Sequence, residues 1–365
     1  MKGKGSLMFK WKICFVCLLS LMLFTIPMLA LVGISSPSPD VDQAGLAISS
    51  EGQSASIETD TQAQEDDSLA TLAEAGVWHS DGYFQILDES TGKVNKVSER
   101  EYVIGAVCAE MPPTFHTEAL KAQAVAAHTY ALRLRDQQKH SPDESLKGAD
   151  FSADPSNWRG YVTKQQAKER FGDNFDLYYG KIEEAVDQVL HIGLAYDDYP
   201  IVAAYHAISS GMTENSENIW TSSCDYLKSV ESSGDAIAPG YESVVTLSKE
   251  EVQQILTTAY PENQLDPSEK KWFQTDSLSD SGTVLSISIG DQTLTGSQVR
   301  NLFGLRSPNF TVSYENGNFT FLVKGYGHGV GLSQYGADYM ARQGSDYIEI
   351  LTHYYTGVEL VKIQF

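Results

Sequence analysis

Residues 98–140 read "SEREYVIGAVCAEMPPTFHTEALKAQAVAAHTYALRLRDQQKH". The double proline at Pro112 and Pro113 cuts this stretch in two. A residue before proline is pushed out of the helical region, so a first helix must stop by Met111. Ser98 stands three residues before Glu101, the capping-box spacing at a helix start. On that helix Val103, Ala106, Val107 and Glu110 share one face, which sets a glutamate among small apolar residues. The second helix is capped by Thr117 and carries Leu120, Ala124, Ala127, Ala131 and Leu134 on its inner stripe; its many alanines allow close helix packing.

Working outward, "YFQILDESTGKVNKVS" (residues 83–98) alternates apolar and polar positions around a glycine turn, the pattern of a hairpin. "VLHIGLAYDDYPIVAAYHA" (189–207) predicts two strands joined at Asp197 to Pro200, and "FTVSYENGNFTFLVKGY" (310–326) a hairpin turning at Asn316 and Gly317. "SKEEVQQILTTAY" (248–260) and "SQYGADYMARQG" (333–344) are helical, the latter closing with Gly344. Helices and antiparallel hairpins mix without a regular βαβ alternation, so the expected class is α+β. No internal repeat is visible.

The chain has 365 residues, 42% of them hydrophobic, enough for a large core. With 26 Lys+Arg against 48 Asp+Glu, its formal net charge of -22 repels nucleic acid and excludes it as a partner. Lys2, Lys4, Lys10 and Lys12 precede an uncharged run at residues 13–34 that is long enough to cross a bilayer. The lysines favour the cytoplasmic side, so the expected layout is a cytoplasmic tail at 1–12, an uncleaved anchor at 13–34 and an exported remainder. Residues 35–77, rich in Ser, Pro, Asp and Gln, read as a disordered tether, and residues 78–365 as the folded catalytic domain. Of four cysteines, Cys14 and Cys17 fall in the apolar run, while Cys108 and Cys224 read as thiols packed like small hydrophobes instead of a disulfide.

Three clusters carry the chemistry. Burial of Glu110 on an apolar face disfavours its charged form and suits it to be a general acid. The bland alternative is a helix-terminal glutamate paired with Lys121 or a backbone N–H. In "KGYGHGVGLSQYGA" (324–337), Gly325, Gly327, Gly329 and Gly331 let the backbone approach a ligand closely, with His328 inside the run and Ser333, Gln334 and Tyr335 at a helix start; a glycine-rich turn with a structural histidine is the alternative. The spacing matches neither a phosphate loop nor a dinucleotide fingerprint. "YHAISSGMTENSENIW" (205–220) offers aromatics and polar groups at a density that suits a sugar site, or an ordinary capped loop. His116, His128 and His140 are too widely spaced to share a metal, and Ser209 lacks a nucleophile elbow.

Taken together and in order, "EYVIGAVCAEMPPTFHTEALKAQAVAAHTYA", "SSGMTEN" and "GYGHGVGLSQYGA" resemble the signature blocks of the stage II sporulation protein D family, membrane-anchored lytic transglycosylases of spore-forming bacteria. The resemblance spans residues 78–365. It implies that Glu110 is the catalytic acid/base and that Lys121, His128, Tyr205, Ser209, Gly211, Thr213, Glu214, His328, Ser333, Gln334 and Tyr335 contact the substrate. No cofactor or metal is expected. The implied substrate is peptidoglycan glycan already stripped of stem peptides; the implied partners are an amidase/endopeptidase and a membrane scaffold of the engulfment machinery.

Two departures from the family pattern stand out. The chain has "AAHT" where members have "AART", which replaces a fixed cation by the pH-dependent His128 and makes maintained or raised activity above pH 7 the expectation for His128→Arg. Clostridial members carry a Cys- and His-containing segment that resembles a zinc site, but Ser152, Asn157 and Trp158 stand there instead, a set unsuited to zinc. Two other functions fit the same residues: a non-catalytic, glycan-binding amidase enhancer, and a hydrolytic muramidase with Glu214 or Glu217 as second carboxylate.

Overall fold

The computed structural model of the protein describes residues 76–220 and 222–365. Its first part runs β1 (Val77–His79), β2 (Tyr83–Asp88), β3 (Lys93–Ser98), α1 (Glu99–Glu110), α2 (Thr117–His140), β4 (Phe151–Ala153), α3 (Lys164–Phe171), α4 (Phe175–Val189), β5 (Ile192–Tyr196), β6 (Tyr199–Pro200), β7 (Tyr205–His206) and α5 (Ser216–Ile219). There follow β8 (Glu242–Ser248), α6 (Lys249–Ala259), β9 (Phe273–Leu278), β10 (Val284–Ile289), β11 (Gln292–Leu294), α7 (Gly296–Phe303), β12 (Phe310–Glu315) and β13 (Asn318–Lys324). The chain closes with β14 (Leu332–Ser333), α8 (Gln334–Arg342), α9 (Tyr347–Tyr354) and β15 (Glu359–Gln364). This is a mixed α+β fold.

The central element is α2. From Ala119 to Thr129 every residue but Lys121 is buried, so the helix has no solvent stripe there, and Leu134, expected inside, is only half-buried. Small side chains make this possible: α1, α4, α8, α9 and β5 all pack on it. Its N-cap is His116, whose ring accepts from the Glu118 N–H, and Thr117 is the first helical residue instead of the cap. Ser98 caps α1 as its spacing predicts, accepting from the Glu101 N–H. The final strand β15 lies between β1, to which it is parallel, and β5, to which it is antiparallel. Val77, assigned to the tether by composition, is thus the first residue of a strand. The strand expected after Asp197 and Asp198 pairs only as far as Pro200, because the chain then leaves for β7, which pairs with β14.

Residues 242–324 form a module with its own core. Two three-stranded sheets, β12-β13-β8 and β11-β10-β9, enclose Trp272, Phe303, Phe310, Phe319 and Phe321 together with aliphatic side chains. Full burial of each such ring is worth roughly 1.5–3 kcal/mol. The turn at Asn316 (φ 52°) and Gly317 (φ 83°) has the two positive φ values that match the twist of a tight hairpin. The two ends of the module meet, with the Gly325 N–H donating to the Tyr241 carbonyl at 2.7 Å. An insertion with touching ends leaves its flanks free to pair. So β7 and β14 run parallel, Leu332 opposite Tyr205 and Ser333 opposite His206, although more than a hundred residues separate them in sequence.

Among the described residues no helix is long and apolar enough to cross a membrane. The tail at 1–12, the run at 13–34 read as an anchor and the tether up to residue 75 lie outside them. Cys108 and Cys224 are both buried, and burial raises the Cys108 thiol to about 12.

Candidate active site

Glu110 is the last residue of α1; Met111 after it adopts an extended conformation (φ -114°, ψ 143°) that turns the chain away ahead of Pro112. The loop that follows is held onto α8. The His116 N–H donates to Asp338 at 2.6 Å, Arg342 donates to the Thr114 carbonyl at 3.2 Å, and Phe115 packs edge-on against Tyr335 with ring centroids 4.9 Å apart. Lys181 adds a bond to the Phe115 carbonyl at 2.5 Å. The consequence is a fixed position for the Glu110 carboxyl beside the start of α8.

That carboxyl is half-buried, and desolvation pushes it above the usual carboxylate range, opposed by a hydrogen bond from the Gln334 side chain. The Gln334 Nε2 also donates to Gln123 Oε1 at 3.4 Å, and both amides are buried. Tyr205 completes the surroundings: burial, then the nearby Glu110 charge, drive its phenol well above its ordinary value. A half-buried carboxyl with a raised pKa near a phenol and an amide can deliver a proton to an ether oxygen. Lys121 takes no part in holding Glu110; its ammonium pairs with Glu118 at 2.7 Å over the Tyr347 ring.

The glycine run makes its close approach to protein backbone. At Gly331 (φ 72°) a Cβ would collide with the Ala204 carbonyl, and at Gly327 (φ 112°) it would meet His206 Cβ at 2.7 Å. These glycines let 325–331 lie against the strand that carries Tyr205. His328 is pinned: its Nδ1 accepts from the Val330 N–H at 3.0 Å and its other ring nitrogen donates to the Tyr205 carbonyl, while burial, then His206 and Arg300, push it down to about 3. These bonds hold the ring as a neutral group against Tyr205.

Five expected contact residues are bonded into the scaffold. Ser209 and Ser333 are buried on the two sides of Asp235, whose Oδ2 accepts from the Ser209 N–H at 2.9 Å and whose Oδ1 accepts from the Ser333 hydroxyl at 2.8 Å. Thr213 is wholly buried and accepts from the Val230 N–H at 2.9 Å. Glu214 accepts from the Asn215 N–H at 2.8 Å, the Asn218 amide at 2.7 Å and the hydroxyls of Ser279 and Ser281 at 2.5 Å each. Burial raises its carboxyl, but those donors outweigh that and hold it below the usual range. Gly211, half-buried at φ 103°, donates to Ser209 Oγ at 3.1 Å and shapes the same loop.

His128 corrects the sequence expectation most clearly. It is 1% exposed and bonded through Nε2 to Glu99 Oε2 at 2.8 Å; Glu99 in turn accepts from Arg135 at 2.7 Å and from Ser80. Glu99 and Glu110 occupy opposite ends of α1, roughly 16 Å apart along the axis at helical rise. His128 therefore lies in a buried charge cluster with no surface for a glycan. Two positions that sequence reading missed matter here. Gln123 had a weak signal, a long polar residue inside an alanine-rich buried stretch. Asp235 had none, since its partners come from distant loops. Among the described residues no cluster of three or more His, Cys, Asp or Glu could hold a metal.

A family model described as stage II sporulation protein matches residues 87–196. Stage II sporulation protein D of Bacillus amyloliquefaciens is 38% identical over 271 residues, covering 74% of this chain and 76% of that protein. Its counterpart in Bacillus subtilis (strain 168) is 36% identical over 267 residues, covering 73% and 75%. The amidase enhancer of Bacillus subtilis (strain 168) is 26% identical over 312 residues, which is 70% of this chain but 40% of the enhancer.

Proposed function

Because the chain belongs to the stage II sporulation protein D family, a family of sporulation proteins, we propose that it is a lytic transglycosylase that cleaves peptide-free peptidoglycan glycan during engulfment, with Glu110 as its acid/base. The observation that carries this reading is the environment of Glu110, a half-buried carboxyl raised above the usual carboxylate range by desolvation, near Tyr205 and Gln334. Glu110 protonates the glycosidic oxygen between N-acetylmuramic acid and N-acetylglucosamine as the C1–O bond breaks. The resulting carboxylate then takes the proton of the muramic C6 hydroxyl as that oxygen bonds to C1. The nucleophile arrives with the substrate, so one carboxyl suffices where a hydrolase needs two.

Tyr205 lies near the carboxyl as a group for sugar rings and hydroxyls, and Tyr335, packed on Phe115, is a second aromatic candidate. In this reading residues 13–34 anchor the chain, the segment from residue 35 to the start of β1 tethers it, and the domain acts outside the membrane beside an amidase/endopeptidase and a membrane scaffold. The test is digestion of peptide-free and peptide-bearing glycan by the 365-residue chain. The reading requires cleavage of the former and little of the latter; cleavage of neither overturns it.

A second reading, a glycan-binding enhancer of an amidase, is favoured by the similarity to the amidase enhancer. It requires Glu110→Gln to stimulate an amidase as well as the wild type does. A hydrolytic muramidase is disfavoured, because Glu214 is committed to four donors and Glu217 is exposed and paired with Lys228 at 3.2 Å.

A further inference from the structure

With 26 Lys+Arg against 48 Asp+Glu, an arginine of this chain has acids in excess to pair with. Arg100, Arg135, Arg159 and Arg342 each hold a carboxylate. Arg306 holds none. Among the described residues its guanidinium enters no ion pair and no side-chain hydrogen bond.

The group is nevertheless fixed. It lies over the ring of Tyr326 with Cζ 4.3 Å from the centroid, and a Cβ at Gly240 (φ 75°) would meet one of its nitrogens at 2.6 Å, so ring and bare backbone set the plane of the fork. Stacking of this kind leaves the N–H groups uncommitted. Tyr326 is 46% exposed, and the Arg306 carbonyl accepts from the Gly327 N–H at 3.0 Å.

Backbone ties this pair to the segment that carries Tyr205. Tyr326 and Ile208 exchange two bonds, at 2.7 and 3.1 Å, and the adjacent Ala207 carbonyl accepts from the Tyr335 N–H at 3.1 Å. Tyr335 packs on Phe115, in the loop that follows Glu110. An exposed ring and an uncommitted cation therefore stand on the same run, 205–208, as the aromatic groups of the candidate site.

A planar fork of donors suits a carboxylate. In peptidoglycan the stem peptide is joined by an amide to the lactyl group of muramic acid, and its removal leaves a carboxylate in place of that amide. Peptide-free glycan is thus anionic, and a chain with a formal net charge of -22 repels it unless a cation receives it. We propose that Arg306, stacked on Tyr326, binds the lactyl carboxylate of a muramic acid residue and so selects glycan from which the peptides have been removed. The inference rests on peptide-free glycan being the ligand and names the group that recognises it. A peptide-bearing residue offers a neutral amide at that point, and the cation loses its partner.

The test measures binding to the full chain carrying Glu110→Gln, so that the glycan stays intact. Two probes are compared: soluble peptide-free glycan oligosaccharides, and the same oligosaccharides with their lactyl carboxylates converted to methylamides. The free acid should bind about tenfold more tightly, a preference that shrinks as salt rises. Addition of Arg306→Gln should weaken the free acid about tenfold and the methylamide by less than about twofold, while Arg306→Lys should keep part of the preference. Equal binding of the two probes by the parent, or an undiminished preference in Arg306→Gln, overturns the inference. An equal loss of both probes also overturns it, because Arg306 is then a prop of the fold. In the chain with Glu110 intact, Arg306→Gln should raise KM for peptide-free glycan about tenfold with kcat held within about twofold; a fall in kcat at unchanged KM counts against the assignment. Binding of neither probe defeats the glycan reading and the inference with it, whereas the expected preference without any cleavage supports the inference and defeats only the transglycosylase reading.

Discussion

Glu110 owes its chemistry to a competition of two effects at one side chain. Desolvation raises the carboxyl and a single amide donor lowers it, and desolvation prevails. An acid whose native value is raised binds more protons folded than unfolded, so its presence costs stability as pH rises from its unfolded value through its folded one. Glu110→Gln should therefore fold at least as well as wild type at neutral pH, with an equal or higher Tm, while cleavage falls by about 10²–10⁴-fold. By the same sign, wild-type kcat/KM should decline as pH rises through the Glu110 value, and a profile that climbs there would contradict the acid role. Asp235 is the companion case, a buried carboxyl also raised by desolvation but closed off by the Ser209 N–H and the Ser333 hydroxyl. Asp235→Ala strands both donors and should cost about 2–4 kcal/mol in a denaturant titration; Asp235→Asn, which retains an acceptor, should cost less.

At the scale of elements, α1 is bracketed by two desolvated carboxyls, one buried and one half-buried, with opposite fates. Burial also raises Glu99, but hydrogen bonds from His128 and Ser80 and the adjacent Arg135 outweigh it and hold the group below the carboxylate range. A depressed acid contributes stability that is present above its unfolded value and lost as pH falls through its folded value. The prediction is that Glu99→Gln and His128→Ala lower the unfolding free energy from urea titration at neutral pH, by about 3 kcal/mol for a broken buried pair, and that the Glu99→Gln deficit shrinks in acid. Cleavage per folded molecule should stay the same in both; a selective loss of kcat in His128→Ala would restore its expected place near the glycan. The reason His128 was misread is geometric. Proline, serine and glycine punctuation made α1, α2 and the 83–98 and 310–326 hairpins legible, because those signals are local. On a helix buried all round, periodicity no longer separates the side that meets substrate from the side that meets core, and Lys121, Gln123 and His128 could not be sorted without the elements packed on them.

Across the whole molecule, the site exists because distant segments are brought into register. The module at 242–324 returns the chain to Gly325 beside Tyr241, and only then can β14 lie along β7 and bring Gln334 to Glu110. Neither pairing was legible: both strands are two residues long, and nothing in so short a run marks its partner. Asp235 and the Glu214 donors Ser279 and Ser281 escaped for the same reason. The last strand closes the body in a comparable way, with Val361 and Ile363 in the core between β1 and β5. Truncation after Gly357 should abolish cooperative thermal unfolding, whereas an edge strand of little consequence would leave the transition intact.

The central claim, that one buried proton is delivered to a glycosidic oxygen and later recovered from the substrate, is tested most directly by mass spectrometry of the fragments released from peptide-free glycan. The account predicts muramic ends closed as the 1,6-anhydro sugar, lighter by one water than a hydrolysed end, and their disappearance with Glu110→Gln. Open reducing ends from the wild-type chain, or anhydro ends that persist in Glu110→Gln, would contradict it.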